Sequence, residues 1–290
     1  MKKGVIQIIA ASAMWGSVSI FLTLLAKSGI SRIQILWLRS LISAFLLFAL
    51  TAWSDRAQLR IRLRDWWVFV GNGVVAMTAF SVCYWESMSI AGVAVSAILI
   101  YTAPIFSLLL SRVLFGERIS QRCFAALCLS IGGVFLVSGL SNSSGNIPLP
   151  SILFGLLGGF FYATQAIFGK FAVEWQYGSM AVTAWSTLAS GVVLTPLALQ
   201  GGMPEMFFTS ARYPLLLAAM GVICTVIPCS LFIEGLKSVS AGRASMLTSS
   251  EPGVALLIGC LLFREGLSLP ALMGIIMIIA AVCLISTEKR

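Results

Sequence analysis

Ten apolar runs, each long enough to wind through a lipid bilayer, set the terms on which this chain can fold: 4–26, 32–53, 66–89, 92–115, 120–140, 150–172, 179–200, 212–236, 241–264 and 268–287. A helix rises 1.5 Å per residue, so about 20 apolar residues cross roughly 30 Å of hydrocarbon. The runs take up most of the 290 residues, which leaves short connections and no soluble domain of useful size. Membrane-spanning strands would be about ten residues long with alternating polarity; these runs are continuous and twice that length. The expected fold is an all-α integral membrane protein with ten transmembrane helices. The first run follows Lys2 and Lys3 and continues past Trp15 to Leu25. That exceeds the roughly 7–15 apolar residues of a secretory leader, so it reads as a retained span.

Charge then orients the spans. Nineteen Lys and Arg against ten Asp and Glu give a net charge of +9. The basic residues sit in short clusters between runs rather than along one polar face, which is a pattern of membrane topology and not of nucleic-acid binding. With a cytoplasmic N-terminus, the inner segments hold Lys2, Lys3, Arg56, Arg60, Arg62, Arg64, Arg112, Arg118, Arg122, Lys170, Lys237, Arg243, Lys289 and Arg290, fourteen in all. The outer segments hold four, Lys27, Arg32, Arg212 and Arg264, while Arg39 lies inside the second run. Positive charge collects on the cytoplasmic side. Both termini are therefore expected there, in a multi-pass protein of the cell (inner) membrane.

Composition removes most chemistry. Charged residues make up 10% of the chain, against about 25% in a soluble domain, and the mean hydropathy is +1.00. A water-soluble enzyme is excluded. With no histidine, the commonest metal ligand and the usual acid–base group near neutral pH are missing. Seven cysteines, Cys83, Cys123, Cys128, Cys224, Cys229, Cys260 and Cys283, all fall within runs and form no C-x-x-C pair. They read as small packing residues rather than metal ligands or disulfide partners. No G-x-S-x-G nucleophile motif and no G-x-x-x-x-G-K-[ST] phosphate loop occurs. The sequence predicts no catalytic set, no metal, no cofactor and no ATP hydrolysis.

A shift of 148 positions brings two stretches into register: Glu86 onto Glu234, Pro104 onto Pro252, Phe115-Gly116-Glu117 onto Phe263-Arg264-Glu265, and Ser120 onto Ser268. One position less aligns Trp15 with Tyr162 and Phe21 with Phe168. The chain divides into two repeats, 1–141 and 147–290, about the charge-free stretch Ser141–Pro150. Each half holds five runs. Five is odd, so the second half enters the membrane inverted, a plan of secondary transporters that places the binding site near the midplane at the repeat interface.

Trp15-Gly16 with Phe21 in the first run, Arg39 in the second, and Pro104 with Phe115-Gly116-Glu117 in the fourth resemble the EamA-type branch of the drug/metabolite transporter superfamily. The second half adds Glu251-Pro252, Phe263-Arg264-Glu265 and Gly274 in the last run. The resemblance covers essentially the whole chain. It implies ten helices around a central cavity lined by spans one, three, four, six, eight and nine. It also implies alternating-access export or uptake of small metabolites, often amino acids.

Ionisable groups inside spans are costly and tend to face a polar cavity or a partner. Glu251 lies about 15 Å into the ninth run, and Pro252 behind it lacks a backbone donor. Glu251 is the candidate for substrate binding and proton exchange, with structural glue as the alternative. Arg39, roughly 10 Å into the second run, either pairs structurally or contacts substrate. Glu86 near the outer end of the third run and Glu234 near the inner end of the eighth fall one at each mouth, as gates or as helix-end charges. Glu117 and Glu265 read as capping residues ahead of Ser120 and Ser268. Trp37, Trp53, Trp66 and Trp67 fit an interfacial belt. Trp15, Tyr101, Tyr162 and Trp185 lie deeper, as cavity wall or as packing. Pro104 and Pro252 mark helix breaks, tolerated in a membrane only where protein or a wet cavity satisfies the freed carbonyl. The G-x-x-x-G spacing from Gly155 to Gly159 reads as packing inside the bundle.

The resulting expectation is an inner-membrane transporter, an exporter of small metabolites with amino acids foremost. Its partners are a small-molecule substrate and the lipid bilayer, not nucleic acid, with proton or ion coupling left open. A carboxylate, aromatic faces and free carbonyls suit a cationic amino group bearing an apolar or aromatic side chain, with Arg39 for a carboxylate. The alternatives are an importer or carrier of a sugar, nucleotide or carboxylate, and a non-transporting membrane assembly protein.

Overall fold

A computed structural model of the chain describes residues 2–25, 28–117, 119–138, 147–200, 202, 210–263 and 268–286. Both termini, Lys27, Arg118, Arg264 and Glu265 lie outside the described residues. Among the described residues the protein is all helical, with no strand. In lipid, backbone donors and acceptors must be satisfied within the segment, and a helix does this alone.

Among the described residues, seven stretches are long and apolar enough to cross a membrane: Lys2–Leu25, Arg32–Leu59, Trp66–Phe115, Leu149–Glu174, Ser179–Leu199, Arg212–Leu236 and Leu269–Ser286. Helix also covers Gln121–Val137, Ala241–Leu247 and Glu251–Phe263. The runs expected separately at 66–89 and 92–115 fall in one stretch. Their boundary is Gly92, at φ 81° and ψ 173°, a conformation open to glycine because it has no Cβ.

Several helices are interrupted within the apolar region, at Ser17, at Tyr101–Thr102, at the tight turn Thr248–Ser250, and at wide turns over Asn72–Ala79 and Val222–Val226. Hydroxyl side chains occupy carbonyls at these breaks. Ser17 donates to the Met14 carbonyl at 2.6 Å, Thr78 to Gly73 at 3.0 Å, Thr102 to Leu99 at 2.6 Å and Thr248 to Ser245 at 2.7 Å. Pro104 sits in the first turn of Ala103–Phe115, and Pro252 is the second residue of Glu251–Phe263. Both prolines thus open a helix after a break, where a missing N–H is harmless.

Several contacts between helices run through small or polar residues, as expected where lipid supplies no hydrophobic drive for helix association. A Cβ on Gly159 would come within 3.0 Å of the Leu99 carbonyl, and one on Gly274 within 2.6 Å of the Gly133 carbonyl. Asn72 donates to Ser186 at 3.0 Å, and Thr78 and Ser190 share a bond of 2.8 Å. Most of the apolar core gathers at two ends, with a small separate cluster of Leu47, Ala184 and Val226. One cluster, at the end bearing the start of Lys2–Gly16 and the end of Leu269–Ser286, joins Val5, Ile8, Phe69, Leu108, Phe232, Met246, Leu247 and Ile285. A smaller one at the opposite end joins Leu25, Ile30, Ile35, Leu217 and Met220. These are called the terminal and distal ends below.

Candidate functional site: a cavity between the two ends

The break at Thr248–Ser250 is held against the first helix. Ser12 donates to the Thr248 carbonyl at 3.1 Å, and Ser250 donates to Ser12 at 2.9 Å. Gly16 lies so close that a Cβ there would come within 3.0 Å of the Glu251 carbonyl. This explains the Trp15-Gly16 pair: glycine admits the backbone of Glu251 while the preceding indole packs on Phe232, with ring centroids 5.5 Å apart.

Beyond the break opens a cavity. Five of the residues singled out from sequence line it together: Trp15, Arg39, Tyr101, Tyr162 and Glu251. Tyr162 donates its hydroxyl to the Glu251 carboxylate at 3.2 Å. The same tyrosine ring stacks on Phe80 at 4.8 Å, and Phe80 stacks in turn on Tyr84 at 6.1 Å. A short ladder of aromatic faces therefore leads away from the carboxylate. Arg39 keeps its Nε buried without a hydrogen-bond partner, and no ion pair joins Arg39 to Glu251. The cavity thus presents a carboxylate and a guanidinium with an unpartnered Nε as separate poles in an apolar wall, an arrangement suited to a ligand with charges of both signs. Among the described residues no group of three His, Cys, Asp or Glu could hold a metal.

The remaining candidates stand elsewhere. Trp185 donates its indole N–H to the Leu59 carbonyl at 3.2 Å and meets Phe48 edge-on at 5.0 Å; it pins a loop at the terminal end and does not line the cavity. Glu86 is exposed, while its neighbour Trp85 faces the cavity. Glu234 pairs with Lys237 at 2.7 Å, one turn along its own helix, an exposed pair of small worth. Glu117 caps a helix, but a distant one, accepting from the backbone N–H of Ala241 at 3.2 Å and of Gly242 at 3.4 Å. Ser120 caps its own helix through Cys123 at 3.1 Å.

The lining also departs from the six spans that the resemblance implies, because Ile35, Leu36 and Arg39 bring in the second. That helix turns its serines toward neighbours, Ser40 to Ser190 at 3.4 Å and Ser43 to the Gly221 carbonyl at 3.2 Å. Phe80, Tyr84, Gln165, Cys224 and Cys229 are lining residues that the sequence reading missed. A signal existed for two of them: Phe80 and Tyr84 are four apart, on one helix face.

Comparison with known proteins completes the picture. The sequence profile described as the EamA-like transporter family matches residues 2–139 and again 149–287. An "uncharacterized inner membrane transporter YicL" of Salmonella typhimurium is 22% identical, with 100% of this chain and 97% of that one aligned. An "uncharacterized transporter" of Archaeoglobus fulgidus is 31% identical over 66% of each chain. The "uncharacterized inner membrane transporter YedA" of Escherichia coli is 27% identical over 76% of this chain and 68% of its own. A solved structure described only as "Crystal structure of protein" superposes with a TM-score of 0.82 at 16% identity, covering 97% of this chain and 95% of that one; this likeness concerns the fold alone.

Proposed function

The chain belongs to the EamA-like transporter family, and we propose that this multi-pass membrane transporter exports small metabolites, amino acids foremost, by alternating access. The observation that carries the reading is the pair of poles in one cavity, Glu251 with its Tyr162 partner and Arg39 with its unpartnered Nε. An α-amino acid carries an ammonium and a carboxylate, and the ladder Tyr162–Phe80–Tyr84 offers its side chain aromatic faces. Glu251 takes the ammonium and is the group through which a proton could be exchanged against substrate. Arg39 takes the carboxylate. The export direction rests on the family resemblance alone.

We read the chain as two inverted halves, 1–141 and 147–290. The pattern of helix breaks supports this. Ala103–Phe115 and Glu251–Phe263 begin and end 148 residues apart, each after a break. The wide turn Asn72–Ala79, moved by the same offset, overlaps Val222–Val226. With both termini in the cytoplasm, as the Lys and Arg count requires, the terminal end faces inward and the cavity opens outward.

Counterflow in liposomes tests the function. Unlabelled amino acids with apolar or aromatic side chains are expected to drive uptake of a labelled one, and Glu251→Gln and Arg39→Gln to weaken it. Exchange of sugars, nucleotides or plain carboxylates without amino acids would transfer the reading to those solutes. No exchange of any solute would leave an assembly role. Reporter fusions at both termini test the orientation, and an outward signal from either end overturns it.

A further inference from the structure

Between Arg32–Asp55 and Trp66–Gly71, outside the cavity, lies a connection with an unusual charge balance. Arg56, Arg60, Arg62 and Arg64 are all exposed, and among the described residues none of them forms an ion pair. The two nearby carboxylates are engaged otherwise. Asp55 accepts from the Ala57 N–H at 3.0 Å and from Gln58 at 3.3 Å. Asp65 is buried at 8% exposure and accepts from the Tyr177 hydroxyl at 2.7 Å.

The connection is nevertheless held in place. The Arg62 N–H donates to the same Tyr177 hydroxyl at 3.2 Å, and the Leu59 carbonyl accepts from Trp185. Four like charges fixed close together repel unless an anion lies among them. Beside them Trp53 is 89% exposed, Leu63 90% and Trp66 56%. Apolar and indole side chains that exposed, set among arginines at a helix end, match the boundary between headgroups and acyl chains.

We propose that this connection is a docking platform for the phosphate headgroups of anionic phospholipid in the leaflet at the terminal end. Guanidinium forks match phosphate oxygens in shape and charge. The exposed Trp53 and Leu63 favour lipid over a soluble phosphate, which would leave both side chains in water. Basic segments next to a membrane span gather anionic lipid by this attraction. The platform is independent of which solute the cavity takes.

Nanodiscs of phosphatidylcholine with and without phosphatidylglycerol test it, the retained phosphatidylglycerol being counted by native mass spectrometry. R60Q/R62Q is expected to retain roughly tenfold less. The charge-matched K2Q/K3Q, altered at exposed lysines of the same end, should stay within about twofold of the parent. Equal losses in the two variants would mean general charge attraction and overturn the platform, as would no loss in R60Q/R62Q. On the unaltered protein, phosphatidylglycerol at low salt should raise the thermal midpoint over pure phosphatidylcholine, and high salt should remove the gain. A missing gain, or one reproduced by inorganic phosphate in phosphatidylcholine discs, also overturns it.

Discussion

The terminal end and the cavity region beside the distal cluster are built from the same kinds of residue and do opposite things with them. At the terminal end Ile8, Phe69, Phe232, Leu236, Met246 and Leu247 are all at most 2% exposed and close into one mass. Toward the distal end Val18, Leu22, Tyr84 and Trp85 stay only half-buried, because they wall a cavity. The breaks at Tyr101–Thr102 and Thr248–Ser250 lie between the two regions. A transporter that alternates must exchange these roles, and the residues that part at one end must be compensated by closure at the other. On the proposed reading the work divides the same way: the polar poles select the solute, and packing sets which end is closed.

Removing a pole should have the largest effect. Glu251→Gln keeps the shape and deletes the charge, so an ammonium loses a charge-assisted hydrogen bond worth about 1.5–3 kcal/mol, roughly ten- to hundredfold in apparent affinity. Counterflow titration with a labelled amino acid measures this. If affinity and pH dependence both match the parent, neither binding nor coupling resides at Glu251, and the distal cavity is not the substrate end.

Leu247 tests the sealed end. It is fully buried, and Leu247→Ala leaves a cavity whose lost contacts should cost about 2 kcal/mol, at the low end of soluble-core values because lipid adds little transfer energy. A lowered thermal midpoint with substrate affinity unchanged is the expected pattern. A drop in affinity with no loss of stability would mean that the two ends are not separable in this way.

How much of this division was legible in sequence follows from what a bilayer constrains. Depth along a span can be counted, so Trp15, Tyr101, Tyr162 and Glu251 were recognisable as lying at comparable depth, and the structure brings them to one cavity together with Arg39. Rotation about a helix axis cannot be counted the same way when nearly every position is apolar. Trp185 has a comparable depth but turns toward Phe48 and Leu59, while Tyr84 and Phe80 turn inward. Glu117 was readable as a capping residue, yet its helix starts at Ala241, 124 residues away. Local sequence shows the need for a cap and not the identity of the distant helix.

That cap gives a smaller prediction at the terminal end. Glu117→Gln keeps an acceptor for the Ala241 and Gly242 N–H groups but removes the negative charge from a helix N-terminus, an effect of about 0.3–1 kcal/mol. The thermal midpoint should fall slightly, and Glu117→Ala should lower it further. Identical midpoints in all three proteins would remove Glu117 from the account of how this end stays closed.

The smallest effect should come from Tyr177, which stands outside the spans and holds the arginine connection. Burial pushes its phenol above the ordinary value near 10, the Asp65 carboxylate adds to the rise, and the Arg62 backbone and charge offset part of it. The neutral phenol is the form that donates to Asp65. A raised value in the folded protein means that the bond contributes fully below the ordinary value and is lost as pH climbs through the raised one. The site is partly wet, so the contribution is about half a kcal/mol, at the low end for a hydrogen bond. Tyr177→Phe should lower the thermal midpoint a little at neutral pH, and the difference should vanish under strongly alkaline conditions, where the parent has lost the same bond. No difference at neutral pH would mean that the hydroxyl adds nothing, that Tyr177 contributes through ring packing on Phe69, 5.0 Å away, and that the loop is held at Trp185 instead.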